Sequence, residues 1–469
     1  MITKERVKNK RLLTKRMIIG GGGYPLSAAP VPTHFCRRRC LLLPVACKLT
    51  KQGEHLLSAL VIAEDPAAST GLLRKFVASS SKQVALNTLS HLLSPSTSHP
   101  RLRNLAFPLY LMIRQETWFI WNAKLVADLI ACLYKQERFD EAENLFSETV
   151  LKLRFKERDL CMFYCNLVAF HAKHKSIKGF LDLCEELSQL VFQSSSVYIK
   201  QRGYESMIGG FCEMGFPDRA ENLIQEMKEM GLKPSGFEWR SLVYGYGQMG
   251  CLEDMKRCVV QMENDGFTVD TVCCNMMLSS FGAQNKLSDM LSWLKKMRST
   301  SIVSSIRTYN SALNSCPNVL FLLRDFKNVP LSIKELVDNL NKDEADLILE
   351  LVKSSVLDQA MKWSSSELKL DLHGMHLSAA YLILLHWFDE LKLRFDAGNY
   401  GTPSEISVVC GSGKHSSTRG ESPVKGLVKE MMIRMKCPLR IDRKNTGCFI
   451  AKGKVFKDWL CREDSSIIP

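Results

Sequence analysis

The chain has 469 residues, of which 46% are hydrophobic and 24% are charged, so it is long enough for two or more domains, each with its own hydrophobic core. No apolar run in the sequence approaches the roughly 18 residues that a membrane-spanning helix needs, which argues against a transmembrane protein. The formal net charge of +14 suits a polyanionic partner, because Lys and Arg neutralise phosphates. The seventeen Cys are scattered and include no C-x-x-C pair, so we expect reduced, buried thiols.

Much of the positive charge lies in residues 1–53, where Glu5 is the one acidic residue. This segment is broken by Gly and Pro and lacks the long apolar core of a secretory signal. Such a composition predicts an organelle transit peptide, and a disordered basic tail that contacts nucleic acid directly is the alternative. The remainder of the chain is only mildly basic.

The middle of the chain repeats a pair of amphipathic helices. Residues 72–116 predict a degenerate helical repeat, since "VALNTLSHLL" is similar to the first helices that follow. Residues 123–316 predict four good or fair units and a partial one from Ile306. Each unit has a second helix with an acidic start and apolar residues at helical spacing, as in "FPDRAENLIQEMKEMG". The equivalent apolar positions are Ala142, Phe180, Ala220, Met255 and Met290. Stacked units of this kind predict an α-helical solenoid.

The later units are spaced by 35 residues and carry "MKEMGLKPS" before one unit and "YNSAL" in another. These features resemble the pentatricopeptide repeat family over about half of the chain. In that family the fifth and the last residue of a repeat contact one RNA base. The resemblance implies RNA contacts by Glu205, Arg240, Asn275 and Asn310, with Ser235, Asp270 and Ser305 as last residues of the first three of these units.

Asn275 and Asn310 match the usual choice of that family, and Asn275 with Ser305 leans towards a pyrimidine. Ala127 and Cys165 hold the equivalent positions of the earlier units and cannot read a base edge well. The resemblance therefore implies binding of a single-stranded RNA without a long readable target. A solenoid that binds a protein partner is the alternative.

Residues 317–366 lose the repeat, and their leucines predict further helices that cap the solenoid. Ser364, Ser365 and Ser366 then suggest a linker. From Glu367 the period changes, because "ELKLDLHG" places Leu368, Leu370 and Leu372 on one face of a strand and Asp371 and His373 on the other.

A helix follows that strand, then a second strand "EISVVCG", a helix that starts at Pro423, and a hairpin that turns near Asn445 to Gly447. This order predicts a small two-layer α/β domain over residues 367–460. "LDLHG", "GSGKHS" before a helix, and "NTG" in a hairpin resemble the small MutS-related domain. A domain of that kind after pentatricopeptide repeats is the arrangement of a family of plant organellar proteins.

The resemblance implies nucleic-acid binding and, as in several members, nuclease activity. It marks Asp371, His373, Lys414 and His415 as candidate catalytic residues and Gly411 and Gly413 as phosphate contacts. Asp371 is also the candidate ligand of a divalent metal, Mg²⁺ or Mn²⁺. The loop departs from the plant pattern, with Cys410 in place of a usual Thr and Ser412 in place of a usual Trp, which removes a base-stacking surface.

Together these features predict an organellar protein that binds a transcript and takes part in RNA processing or maturation. The resemblance to this family favours the chloroplast over the mitochondrion. Two alternatives stay open: a non-catalytic RNA-binding adapter for translation or stability, and a protein-interaction scaffold.

Overall fold

A computed structural model describes residues 49–63, 65–94, 100–397, 401–411 and 422–461. Helices precede a mixed sheet in the chain. The helices before the first pair of the solenoid are α1 Lys51–Ile62, α2 Pro66–Ser79, α3 Lys82–Leu92, α4 Pro100–Asn104 and α5 Ala106–Ile113. Within these ranges, no helix is both long enough and apolar enough to cross a bilayer.

The segment 1–53, predicted as a transit peptide or alternatively as a basic tail, overlaps the first helix. Residues 1–48 lie outside the described part, but α1 begins at Lys51, within the predicted segment. Thr50 caps this helix, because its hydroxyl accepts a hydrogen bond from the Gly53 N–H at 3.2 Å. In the region predicted as a degenerate repeat, α3 covers most of "VALNTLSHLL" and buries Leu89 and Leu92 completely against the helical core.

Five complete helix pairs follow within residues 123–299. Their first helices are α6 Ala123–Lys135, α8 Glu157–His174, α10 Val197–Met214, α12 Gly236–Met249 and α14 Thr271–Ala283. Their second helices are α7 Phe139–Leu153, α9 Ile177–Gln193, α11 Pro217–Glu229, α13 Leu252–Asn264 and α15 Leu287–Ser299. Successive first helices contact each other, which stacks the pairs into a solenoid, as predicted.

The apolar positions that the sequence aligned are fully buried in all five pairs: Ala142, Phe180, Ala220, Met255 and Met290. The predicted solenoid core is therefore confirmed, although the number of full units is five and not four. First helices end where the backbone turns left-handed. Gly215 and Gly250 have φ of 84° and 74° after α10 and α12, a conformation that Gly adopts without a Cβ penalty.

The last repeat is partial and is covered by shorter helices. It consists of α16 Ile306–Leu313 and α17 Pro317–Leu322, and α18 Ile333–Asp338, α19 Lys342–Val352 and α20 Val356–Ala360 follow. The fully buried Glu344 on α19 accepts hydrogen bonds from the N–H groups of Asn318 and Val319, both at 3.1 Å, and so caps the start of α17. The Tyr309 hydroxyl donates to the Leu351 carbonyl at 2.6 Å.

The sheet begins earlier than the sequence indicated. Its strands are β1 Met361–Trp363, β2 Glu367–Asp371, β3 Glu405–Val409, β4 Arg440–Ile441 and β5 Cys448–Lys452. β1 pairs antiparallel with β2, so Ser364 to Ser366, predicted as a linker, form the turn between two strands. The Ser364 N–H donates to the Glu367 carbonyl across this turn at 2.9 Å.

The strand order is β1-β2-β3-β5-β4, with β2 and β3 parallel and the other pairs antiparallel. The helices of this region are α21 Leu377–Asp396, α22 Pro423–Arg434 and α23 Gly453–Leu460. Leu368, Leu370 and Leu372 are buried, as their alternation predicted, and Asp371 lies on the other face of β2. Trp387 and Phe388 of α21 pack on Phe456 and join α21 to α23.

Candidate nucleic-acid interface

The predicted base-reading pairs lie where one unit meets the next. Ser235, Asp270 and Ser305 are the N-cap residues of α12, α14 and α16, and each side chain accepts a hydrogen bond from the first turn of its helix. The fifth residue of the preceding unit points towards this cap in two cases, Arg240 towards Asp270 and Asn275 towards Ser305. The structure therefore brings together two of the three pairs that the sequence aligned.

Asn275 is the better defined of these residues. Its side-chain Nδ2 donates to the Ser305 Oγ at 3.3 Å, and its Oδ1 accepts from the Thr308 Oγ1 at 2.8 Å. Asn275 is only 2% exposed. Both partners are hydroxyl groups, which can rotate and act as donor or acceptor. The amide can therefore exchange these bonds for bonds to a base edge without leaving a backbone group unsatisfied.

The other predicted contacts differ in their surroundings. The Arg240 Nη1 lies 3.5 Å from the Asp270 Oδ2, and both side chains are about a third to a half exposed. Glu205 pairs with Arg202 of its own helix, and no hydrogen bond links it to Ser235. Ala127 and Cys165 are buried and present no polar group to a ligand, in agreement with the weak reading expected of them.

Asn310 makes different contacts from Asn275, although it occupies the equivalent position. Its Oδ1 accepts from the His376 N–H at 2.9 Å, and its Nδ2 donates to the Gly374 carbonyl at 3.3 Å. Both partners are backbone groups of the "LDLHGMH" segment. A base contact by Asn310 requires these two bonds to break, so base reading here stays a prediction.

The "LDLHG" motif and the first residue of the "GSGKHS" motif, Gly411, meet at one edge of the sheet. β2 and β3 are parallel and in register, with Asp371 opposite Val409, so both strands end at this edge. The Asp371 Oδ1 accepts from the His373 N–H at 2.9 Å, and Gly374 turns the chain with φ of 82°. Gly411 also has a positive φ, 80°, and a Cβ added to it would lie 3.9 Å from the His373 Cδ2.

The "NTG" motif of the hairpin and the N-terminus of α22 also lie at this sheet edge. The Gly447 carbonyl accepts from the Cys410 N–H at 2.9 Å, and the Ser422 hydroxyl donates to the Cys410 carbonyl at 3.4 Å. Ser422 also caps α22, which places a helix N-terminus beside the end of β3. A helix N-terminus favours anions. Burial raises the pKa of the Cys410 thiol to about 12, so this side chain is an unreactive, buried part of the sheet edge.

Three of the predicted residues, Gly413, Lys414 and His415, belong to residues 412–421 and lie outside the described part of the chain. Asp371 is not part of any group of three or more His, Cys, Asp or Glu side chains suited to a metal among the residues that the structure describes. The metal, like the catalytic roles, stays a prediction.

One feature of the sheet was missed by sequence reasoning. On the sheet face opposite the buried leucines, one residue from each strand forms a row in which neighbours are paired in register. The row runs from β1 to β4 and consists of Lys362, Lys369, Ser407, Ile450 and Arg440. Lys362 was assigned to the helical cap, because three residues after a helix carry too little alternation to indicate a strand. This row adds basic side chains to the face that carries Asp371.

Stacked helix pairs spaced by 35 to 40 residues, buried seams and capped junctions define an α-solenoid of the helical-repeat class. Family models of the pentatricopeptide repeat match residues 204–232 and 239–267, and a model of the pentatricopeptide repeat domain matches residues 257–318. The pentatricopeptide repeat-containing protein At2g17033 of Arabidopsis thaliana is 52% identical over 420 residues, which cover 89% of this chain and 83% of that protein. The chain belongs to the pentatricopeptide repeat family.

More distant similarities cover parts of longer proteins. The chloroplastic protein ATP4 of Zea mays is 23% identical over 269 residues, and the match spans 55% of this chain and 38% of that protein. The crystal structure of PPR10 from maize aligns with 15% identity and a TM-score of 0.37, over 81% of this chain and 55% of that one. A crystal structure of PPR10 with an 18-nt psaJ RNA element aligns with a TM-score of 0.36 over 59% and 39%.

Proposed function

We propose that this chain is an organellar RNA-binding protein, in which the helix pairs bind a single-stranded transcript. The observation that carries this proposal is the pairing of Asn275 with Ser305 and of Arg240 with Asp270 at equivalent junctions of successive units. An Asn amide offers a donor and an acceptor to a base edge, and one unit per base is the arrangement that repeat proteins of this kind use. Membership of the pentatricopeptide repeat family supports the same reading.

Replacing Asn275 by Ala tests the proposal. RNA that crosslinks to the full chain is recovered and its binding to wild type and variant is compared. Asn275→Ala should weaken binding about tenfold, because each lost contact to a base edge is worth on the order of 1 kcal/mol or more. Asn222→Ala is the matched control, since Asn222 is an exposed Asn on the second helix α11. Equal affinities of the two variants would reject the assigned reading positions, and recovery of no RNA would favour a protein-interaction scaffold.

The α/β region is proposed to be a small MutS-related domain that acts on or near RNA phosphodiesters in processing or maturation. Its support is the convergence of Asp371, His373, Gly411 and the start of α22 at one sheet edge. Backbone N–H groups at glycines and at a helix N-terminus suit a phosphate. Gly413, Lys414 and His415 would extend this surface.

Cleavage of RNA is the second candidate function. It is favoured by one observation, the exposed His373 ring that lies next to Gly411 while Asp371 fixes the turn. His373 would move a proton at the reacting oxygen, and Lys414 or His415 would contact the phosphate. Asp371 would supply one carboxylate oxygen to Mg²⁺ or Mn²⁺, with RNA phosphates as further ligands. When bound, such a metal would neutralise charge on the phosphate.

The two candidates are separated by incubating the recovered RNA, with and without Mg²⁺ or Mn²⁺, with wild type and the Asp371→Ala/His373→Ala double variant. Cleavage by wild type that the double variant lacks, at unchanged RNA affinity, would support the nuclease. Intact RNA in both reactions would support a non-catalytic adapter for translation or stability.

We also propose a chloroplast location, with the mitochondrion as the alternative. The basic, almost acid-free segment 1–53 supports an organellar address, and two similar proteins, from Zea mays and Arabidopsis thaliana, are named chloroplastic. Residues 1–53 fused to a fluorescent protein should accumulate in the chloroplast. A fusion that stays in the cytosol would contradict the transit peptide.

A further inference from the structure

The α/β region continues the stack of first helices. α16, the first helix of the last repeat, contacts α14 on one side and α21 on the other. The polar contacts repeat as well. Asn275 on α14 bonds the N-cap residue Ser305 of α16, and Asn310 on α16 bonds the backbone of His376, the N-cap residue of α21. α21 therefore occupies the place of the next first helix.

Further bonds hold α21 in this place. The Asn314 Nδ2 lies 2.6 Å from the His376 Nδ1, and the Ser378 hydroxyl donates to the Asn314 Oδ1 at 3.4 Å. The fully buried Tyr381 donates to the Pro330 carbonyl at 2.7 Å. α21 is thus fixed both to α16 and to the segment that follows the last repeat.

Asn275 and Asn310 differ in the chemistry of their partners. The partners of Asn275 are two hydroxyls that can rotate towards other groups. The partners of Asn310 are the His376 N–H and the Gly374 carbonyl, two main-chain groups of the turn that leads into α21, and both bonds are partly buried. Both bonds have to break before the Asn310 amide can turn to a base, and the turn would then lose both of its bonds to Asn310. Asn310 is therefore committed to the docked α21.

We propose that Asn310 is a positioning residue: it docks α21 as the next first helix, sets the His373 and Gly411 edge at a fixed place beyond the Asn275 unit, and selects no base. This inference rests on the proposed function for its RNA part. RNA that follows the first helices from unit to unit would meet the sheet edge directly after the nucleotide read by Asn275. The site would then act at a fixed offset from the selected sequence.

Hydrogen exchange of the full chain without RNA tests the docking. Asn310→Ala should raise amide exchange of the peptide 372–380 about tenfold, because it removes two partly buried hydrogen bonds to the turn before α21, one of them donated by the His376 N–H itself. Asn275→Ala should leave this peptide unchanged. Unchanged exchange in Asn310→Ala would overturn the proposal.

Selection from a random pool of 15-nucleotide RNAs tests the second part. Asn275→Ala should lose the base preference at one position of the sequence that wild type selects, and Asn310→Ala should keep the preference at every position. A position lost in Asn310→Ala would show base reading and overturn the proposal.

Crosslinking tests the fixed offset directly. The selected RNA, with one 4-thiouridine at successive positions, should crosslink to residues 367–411 of wild type at one or two adjacent positions. The crosslinks should spread over more positions in Asn310→Ala, a change that a general loss of stability would not produce. An unchanged crosslink position would overturn the proposal. If wild type retains no RNA from the pool, the RNA-binding function fails, while hydrogen exchange still decides the docking.

Discussion

Replacing Gly282 by Ala should destabilise the solenoid where its last units meet. Gly282 lies in α14, and a Cβ added there would lie 1.9 Å from the Ser315 Oγ and 2.7 Å from the Ser315 Cβ. The hydroxyl can rotate away, but the Cβ of Ser315 belongs to the turn between α16 and α17 and moves only with the backbone. The substitution therefore forces α14 and this turn apart.

The expected cost follows from two opposing effects. Overpacking a tight contact costs about 1–3 kcal/mol, while Ala in place of Gly inside a helix gains about 1 kcal/mol. Gly209→Ala in α10 is the matched control, because the nearest atom to its added Cβ is a Phe237 ring carbon at 3.4 Å, an ordinary contact. The difference between the two variants cancels the helix gain, so Gly282→Ala should be less stable than Gly209→Ala by about 1–3 kcal/mol.

Urea unfolding followed by circular dichroism measures this difference, and hydrogen exchange of α14 and α16 locates it. Gly282→Ala should cost less stability in a Ser315→Gly background than in wild type, because Gly at 315 removes the Cβ and the hydroxyl that clash. The packing argument is refuted if Gly282→Ala and Gly209→Ala agree within about 0.5 kcal/mol, the usual error of such comparisons.

Three further predictions concern buried groups. Burial lowers the pKa of His171 to about 3, so below about pH 6.5 the unfolded chain binds a proton that the folded protein does not. Between pH 7 and pH 5 the free energy of unfolding should therefore fall by about 2 kcal/mol more in wild type than in His171→Leu. Urea midpoints at the two pH values measure this difference. Glu344→Ala should cost about 2–4 kcal/mol, because two N–H groups of α17 lose their acceptor, whereas Glu344→Gln keeps one oxygen and should cost less; equal urea midpoints would contradict this cap. At pH 8 iodoacetamide should modify the exposed Cys251 well before the buried Cys410, whose pKa is raised to about 12, as peptide mass spectrometry would show.

Local periodicity allowed much of the fold to be predicted. The apolar spacing located the helix pairs and the buried positions from Ala142 to Met290, and the alternation of Leu368, Leu370 and Leu372 located β2. The number of units was underestimated, since the earlier units are spaced by 38 and 40 residues and not by 35. β1 was missed because a three-residue strand exists only through its pairing with β2, which no pattern within Met361–Trp363 reveals.

The candidate site was predicted in part for the same reason. The resemblance assigned residues of "LDLHG" and of "GSGKHS" to one site, and His373 lies beside Gly411 because β2 and β3 are parallel. The basic row with Lys362 and Lys369 depends on register between strands that are far apart in sequence, so sequence reasoning did not find it.

Asn275 and Asn310 show most clearly what each level of structure decides. The sequence alone placed the same residue type at the same position of successive units, since helix period and unit length are local properties of the chain. Only the tertiary structure decided that one amide faces hydroxyls of the next repeat and the other faces the backbone of the "LDLHGMH" segment. The physical reason is that a polar side chain bonds to whatever docks against its helix. The docked element after α16 comes from more than 60 residues further along the chain.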